Sequence, residues 1–266
     1  MTSREGRKKA RVLCYVFGVM RILVVLLLLA AGALAQLQSL PPDTPENQRA
    51  RMERMEKWLN DWANLARYAD ADAALPPPAA NEHRVVFMGD SITDGWKLAE
   101  SFPGKPYVNR GISGQTTPQM LIRFRPDVVD LKPDVVVILA GTNDIAGNTG
   151  PMTVRQVEDN LASMSDIARA HGIHVVLSSV TPVYPSDKRP QFFKERPPER
   201  IVAINKWMRA YCERNKIVYL DYFSAMVGKD GLMKRDLAYD GLHPSDAGHK
   251  VMAPLAEAAI AKALAQ

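Results

Sequence analysis

Ser91 closes an apolar run, Val85-Val86-Phe87-Met88, with Gly89 and Asp90 between. A serine at the carboxyl rim of a buried strand is a candidate nucleophile, because open α/β sheets hold their ligands along that rim. Gly-Asp-Ser is equally the pattern of a strand end followed by a helix N-cap. A second stretch, Asn109-Arg110-Gly111-Ile112-Ser113-Gly114-Gln115-Thr116-Thr117, sets two glycines in a strand-to-helix turn. Backbone N–H groups there can face an anion. The plainer alternative is a turn with an N-cap at Thr116 or Thr117, and the third glycine of a dinucleotide fingerprint is missing. In Gly141-Thr142-Asn143-Asp144 the Asn143 amide can meet a developing oxyanion, or the Asn-Asp pair can simply turn the chain. Last comes Asp240-Gly241-Leu242-His243-Pro244. His243 suits a general base, and Asp240, three residues earlier, can take its other ring N–H and fix the tautomer. Its bland counterpart is an exposed loop histidine ahead of a helix capped by Asp246.

The elements that must position these residues follow from hydrophobic periodicity. Strands are expected at Arg84–Met88, Tyr107–Asn109, Asp134–Ala140, His174–Ser179 and Val218–Asp221, and helices at Thr117–Leu131, Thr153–His171, Pro198–Asn215 and Ser245–Leu264. Val135-Val136-Val137-Ile138-Leu139 shows no alternation, so both its faces should be covered, as in a central parallel strand. Strands alternating with helices in this way imply an α/β domain, a doubly wound sheet between two helix layers. Glu46 to about Ala74 is helix-favouring, with Met52, Met55, Trp58, Leu59, Trp62 and Leu65 spaced as one apolar face that should pack against the main domain. Pro76-Pro77-Pro78 ends that stretch. Trp96, close after Ser91, reads either as lining the site or, more in keeping with an apolar helix position, as core. The Pro-rich insertion Thr181–Glu199, with Tyr184, Phe192 and Phe193, reads either as one wall of a pocket or as a solvated loop.

Taken in this order, each at the carboxyl end of a successive unit, the four stretches make residues 83–264 resemble the SGNH/GDSL hydrolase family of serine esterases. The resemblance implies a flavodoxin-like three-layer α/β/α sandwich with a five-stranded parallel sheet. It implies Ser91 as nucleophile, Asp240 and His243 as the rest of a triad, and Ser91, Gly114 and Asn143 as oxyanion donors. Gly114 rather than Gly111 is the match, because the family's glycine precedes the acidic or polar residue and Thr, here Gln115-Thr116. Gln115 stands where many members carry Asp. The implied substrates are carboxylic esters of short acyl groups or of lysophospholipid type. Related readings are an acyltransferase to or from a carbohydrate or other alcohol, and a binding module without chemistry. No cofactor is implied, and His83, His171, His174, His243 and His249 form no spaced metal-ligand set with carboxylates.

The chain's net charge of +5 misleads, because residues 1–35 alone carry that excess and residues 36–266 balance to zero. A neutral domain has no electrostatic reason to bind nucleic acid. Residues 1–35 read as a signal peptide: basic residues, the apolar run Ile22–Ala30, and Ala33-Leu34-Ala35 as a cleavage site. Met20 is an alternative start. An uncleaved membrane anchor is the competing reading, weakened by Arg21 within the apolar stretch. Residues 36–82 then form a linker and N-terminal helix, and 83–266 the hydrolase domain, exported to the periplasm or beyond. The two cysteines are Cys14 and Cys212, so loss of the leader leaves no internal disulfide.

Overall fold

The computed structural model describes residues 44–266; the signal peptide expected over residues 1–35 lies outside the described residues. Two compact units divide between Lys57 and Trp58, within helix α1 (Pro45–Asn60). Along it Met52 and Met55 in the first unit, and Trp58 and Leu59 in the second, are between 52% and 84% exposed. The helix does not run on to Ala74. Asp61 accepts hydrogen bonds from the N–H groups of Leu65 (2.7 Å) and Ala66 (3.0 Å), and Asn64 takes a left-handed φ of 56°. Short polar side chains that bond nearby backbone in this way end helices. A 3₁₀ turn (Leu65–Arg67) and α2 (Ala69–Ala74) follow.

In the second unit, strand β1 (Val85–Gly89) leads through α3 (Ser91–Asp94) and α4 (Leu98–Ser101) to β2 (Tyr107–Gly111). Helix α5 (Thr117–Asp127) precedes β3 (Val135–Leu139), and α6 (Thr142–Ala146) and α7 (Val154–Ala170) precede β4 (His174–Ser178). Next come α8 (Pro190–Lys194), α9 (Pro198–Asn215), β5 (Val218–Leu220), α10 (Tyr222–Met226) and α11 (Asp246–Leu264). α5 stops short of Leu131, where Pro126 withholds a ladder N–H, and a 3₁₀ turn (Val129–Leu131) replaces its last turn.

All five strands are parallel, in the order β2-β1-β3-β4-β5, the flavodoxin-like arrangement. Successive strand residues enter opposite cores, as the two-residue period of a strand demands. Val86, Met88, Val136 and Ile138 pack with Phe124, Leu161, Ile204 and Met208 of α5, α7 and α9. Val85, Phe87, Val135 and Val137 pack with Trp96 and with Met252, Ala256 and Ile260 of α11. The sheet is thus sandwiched between two helix layers. β1 is the switch point: the chain leaves it toward β2 on one side and returns to β3 on the other, so their carboxyl ends part into a crevice. Gly89 stands opposite both Gly111 and Leu139, which starts the three following loops at one level.

Candidate active site

Both readings of Gly-Asp-Ser are realised, by different residues. Asp90 is the N-cap of α3, its Oδ1 accepting the Ile92 N–H at 2.9 Å. That leaves the Ser91 hydroxyl free to meet His243 Nε2 at 2.9 Å. His243 Nδ1 lies 2.7 Å from Asp240 Oδ2. An ionised carboxylate only accepts, so Nδ1 carries the proton and Nε2 is the acceptor for the Ser91 O–H. Burial pushes the Asp240 carboxyl up, but bonds from the His243 ring and from the backbone N–H groups of His243 (2.8 Å) and Leu242 (3.1 Å) hold it below its ordinary range. The loop is pinched shut by a bridge between Ala238 and Pro244 and by the Tyr239 N–H donating to His243 O. At its apex Gly241 has φ of 94°, and a Cβ there would stand 2.5 Å from the Tyr184 carbonyl oxygen. Only glycine fits that turn. Ser245, not Asp246, caps α11, accepting the Gly248 N–H at 3.2 Å. Tyr239 stacks on the His243 ring and Phe192 meets it edge-on.

Across the crevice lie the second and third stretches. Gly114 has φ of 82°, and its carbonyl accepts from Asn148 Nδ2 at 2.9 Å. Thr116 is the N-cap of α5, and Asp144 holds that helix end by accepting from the Thr117 N–H at 3.0 Å. Asn143 is buried; its Nδ2 donates to the Gln115 carbonyl at 3.0 Å, and its Oδ1 accepts from Arg196 Nη2 at 3.1 Å. Gln115, which stands where many members carry Asp, is a buried tie. Its Nε2 donates to Ala63 O at 2.7 Å and its Oε1 accepts from Arg123. The helix break after α1 is what offers the Ala63 and Trp62 carbonyls, the latter to Gln119 at 2.7 Å.

A cleft of about 630 Å³ opens over these groups, lined by Ser91, Gly114, Asn143 and His243 together with Asp94, Asn148, Phe192, Glu195, Arg196 and Tyr239. All five residues that the family resemblance implies for the site therefore meet. The Thr181–Glu199 insertion is a wall, contributing Phe192, Glu195 and Arg196, and Trp96 is core, 3% exposed. Arg196, 2% exposed, gave no signal within Lys194-Glu195-Arg196, which reads as a solvated charge run. Asn148 and Tyr239 sit outside the four stretches and were equally silent. Chemically, the arrangement offers a hydroxyl polarised by a carboxylate-oriented imidazole, facing a turn and an amide able to donate to an anion.

Residues 87–251 match the model of the GDSL-like lipase/acylhydrolase family. The chain is 31% identical over 176 residues to Esterase TesA of Pseudomonas aeruginosa, covering 60% of this chain and 79% of that one. Over 128 residues it is 36% identical to the uncharacterized lipoprotein YqeF of Bacillus subtilis, covering 41% of this chain and about half, 53%, of YqeF. Its fold is similar to that of a GDSL-like lipase, BT0569, from Bacteroides thetaiotaomicron, with a TM-score of 0.70 and 42% identity across 76% of this chain and 98% of the other. A match that runs from β1 into α11, over the whole sheet that builds the crevice, makes the chain a member of the GDSL-like lipase/acylhydrolase family of ester-bond hydrolases.

Proposed function

We propose that this chain is a serine esterase that cleaves carboxylic esters through an acyl-enzyme on Ser91. The unbroken hydrogen-bond chain from Asp240 through His243 to Ser91, opening on the cleft, carries the reading. Ser91 Oγ attacks the carbonyl carbon while His243 Nε2 takes its proton, and Asp240 stabilises the imidazolium. The oxyanion receives the N–H groups of Ser91 and Gly114 and the second Nδ2–H of Asn143, the first being held by Gln115. Collapse breaks the ester C–O bond, and His243 returns the proton to the leaving alcohol. Water, deprotonated by His243, then attacks the acyl carbon, and a second collapse frees the acid and restores the Ser91 hydroxyl.

Mixed lining, with Asp94, Ser113, Asn148 and Glu195 beside Phe192 and Leu242, supports short-acyl or lysophospholipid-type esters over two-chain lipids. Export is the matching location, since the N-terminal sequence reads as a leader and the relative YqeF is named a lipoprotein. Among the described residues no helix is long and apolar enough to cross a membrane. Hydrolysis of p-nitrophenyl esters from acetate to palmitate, with Ser91→Ala alongside, tests the reading. Activity peaking at short chains and lost in Ser91→Ala is expected. Full activity in Ser91→Ala would sink the mechanism, and no turnover of any ester by the folded chain would leave a transferase or a binding module.

A further inference from the structure

Arg196 is almost wholly buried within a wall that otherwise faces the cleft, and its guanidinium is spent on the loop that carries Asn143. Nη2 donates to Asn143 Oδ1 at 3.1 Å and Nε donates to Thr142 Oγ1 at 3.1 Å. Nη1 turns back to its own segment, to Phe192 O at 3.3 Å and Glu195 Oε2 at 3.4 Å, and the guanidinium lies over the Phe192 ring. An amide side chain has two orientations, one presenting oxygen and the other presenting N–H₂ to a given neighbour. Here both neighbours demand the same one. Arg196 has only donors, so it requires Oδ1; the Gln115 carbonyl only accepts, so it requires Nδ2. A flipped Asn143 would set N–H₂ against the guanidinium and oxygen against oxygen. A charged donor on Oδ1 also draws electron density from the amide and strengthens its N–H groups as donors.

We propose that Arg196 is a positioning residue for the oxyanion, locking and polarising the Asn143 amide so that its second Nδ2–H faces the cleft. The wall formed by the Thr181–Glu199 insertion is then part of the reaction machinery as well as a boundary for substrate. The proposal rests on Asn143 being an oxyanion donor, and the experiment separates the two. Asn143→Ala, Arg196→Met and the double variant are compared by kcat and KM on p-nitrophenyl acetate, with thermal melts as the folding control. Asn143→Ala should lower kcat by about 10²–10³-fold. Arg196→Met should lower kcat by about 10-fold or more with KM within about twofold, the mark of an interaction made in the transition state. In the Asn143→Ala background the same substitution should cost less than about twofold, because a residue acting through Asn143 has nothing left to position. Arg196→Lys keeps the charge but cannot span both oxygens, and should restore part of kcat; it serves in the same cycle if Arg196→Met does not fold. Losses that multiply in the double variant, or an unchanged kcat in the Arg196 variants, would overturn the proposal. An unchanged kcat in Asn143→Ala would instead remove the oxyanion role on which it stands.

Discussion

Asp90 sits directly before Ser91, fully buried, with Oδ1 bonded to the Ile92 N–H and Oδ2 among the buried atoms without a partner. Burial pushes its carboxyl up to about 7, although the Ile92 bond and the nearby Arg196 charge both pull it down. A carboxyl raised in this way binds a proton in the folded state that the unfolded chain releases near pH 4. Stability from this group is therefore intact below pH 4, falls as pH rises from about 4 to about 7, and is flat beyond. Asp90→Asn keeps the cap acceptor and removes the titration. Its melting temperature should match the parent near pH 4 and exceed it at pH 8, by a stability gain of at most about 4 kcal/mol. Thermal melts across pH 4–8.5 check this, and a gap that narrows with rising pH would contradict it. Ser91 and Asp90 thus divide the labour of one turn, the first presenting a hydroxyl and the second capping the helix.

Among the elements, the loop between Ala238 and Pro244 is held by its own hydrogen bonds and by a glycine that no other residue can replace. Gly241→Ala would force a left-handed φ on alanine and drive its Cβ toward Tyr184 O, so strain of about 1–3 kcal/mol or more is expected. The Tyr184 N–H donates to the Gly241 carbonyl, so a shift there also moves the turn that holds Asp240 against His243. A lowered melting temperature together with a fall in kcat should be seen; an unchanged kcat would mean that the loop absorbs the change. The strands were legible because parallel central strands read as unbroken apolar runs, and β1 and β3 fall within a residue of the expected spans at each end. The site was legible where chemistry-bearing residues follow directly on a strand, as Ser91 and Asn143 do after β1 and β3, and where a histidine follows an aspartate by three residues just ahead of a helix, as His243 does. Arg196 was not legible, since whether an arginine is solvated or buried depends on where its loop folds back. The break at Asp61 was equally hidden, because its local bonds compete with a helix that the spacing alone favours.

At the scale of the whole molecule, Arg123 is the clamp behind the crevice. It is fully buried, donates to the carbonyls of Gly89 (3.0 Å) and Arg110 (2.9 Å), and pairs with Asp127 at 2.7 Å. The ends of β1 and β2 are thereby joined from below, while the Thr181–Glu199 segment forms one wall of the cleft above. That segment is tied at its start, where Asn205 bonds both the N–H and the carbonyl of Val180, and near its end, where Arg200 donates to Ile145 O and Met152 O. Between these ties it touches both halves of the chemistry: Tyr184 meets the Gly241 turn, and Arg196 meets Asn143. Its middle, Asp187–Gln191, is exposed throughout and includes Lys188 and Arg189. A single cut by trypsin after Lys188, the Arg189–Pro190 bond being resistant, would leave the sheet and both cores intact, since neither is built from those residues. Digestion that stops at this bond should therefore yield two fragments that stay together and melt as one, with kcat lowered as the wall loosens. The wall of the cleft would thus hang on a strap of five exposed residues, breakable without unfolding anything else.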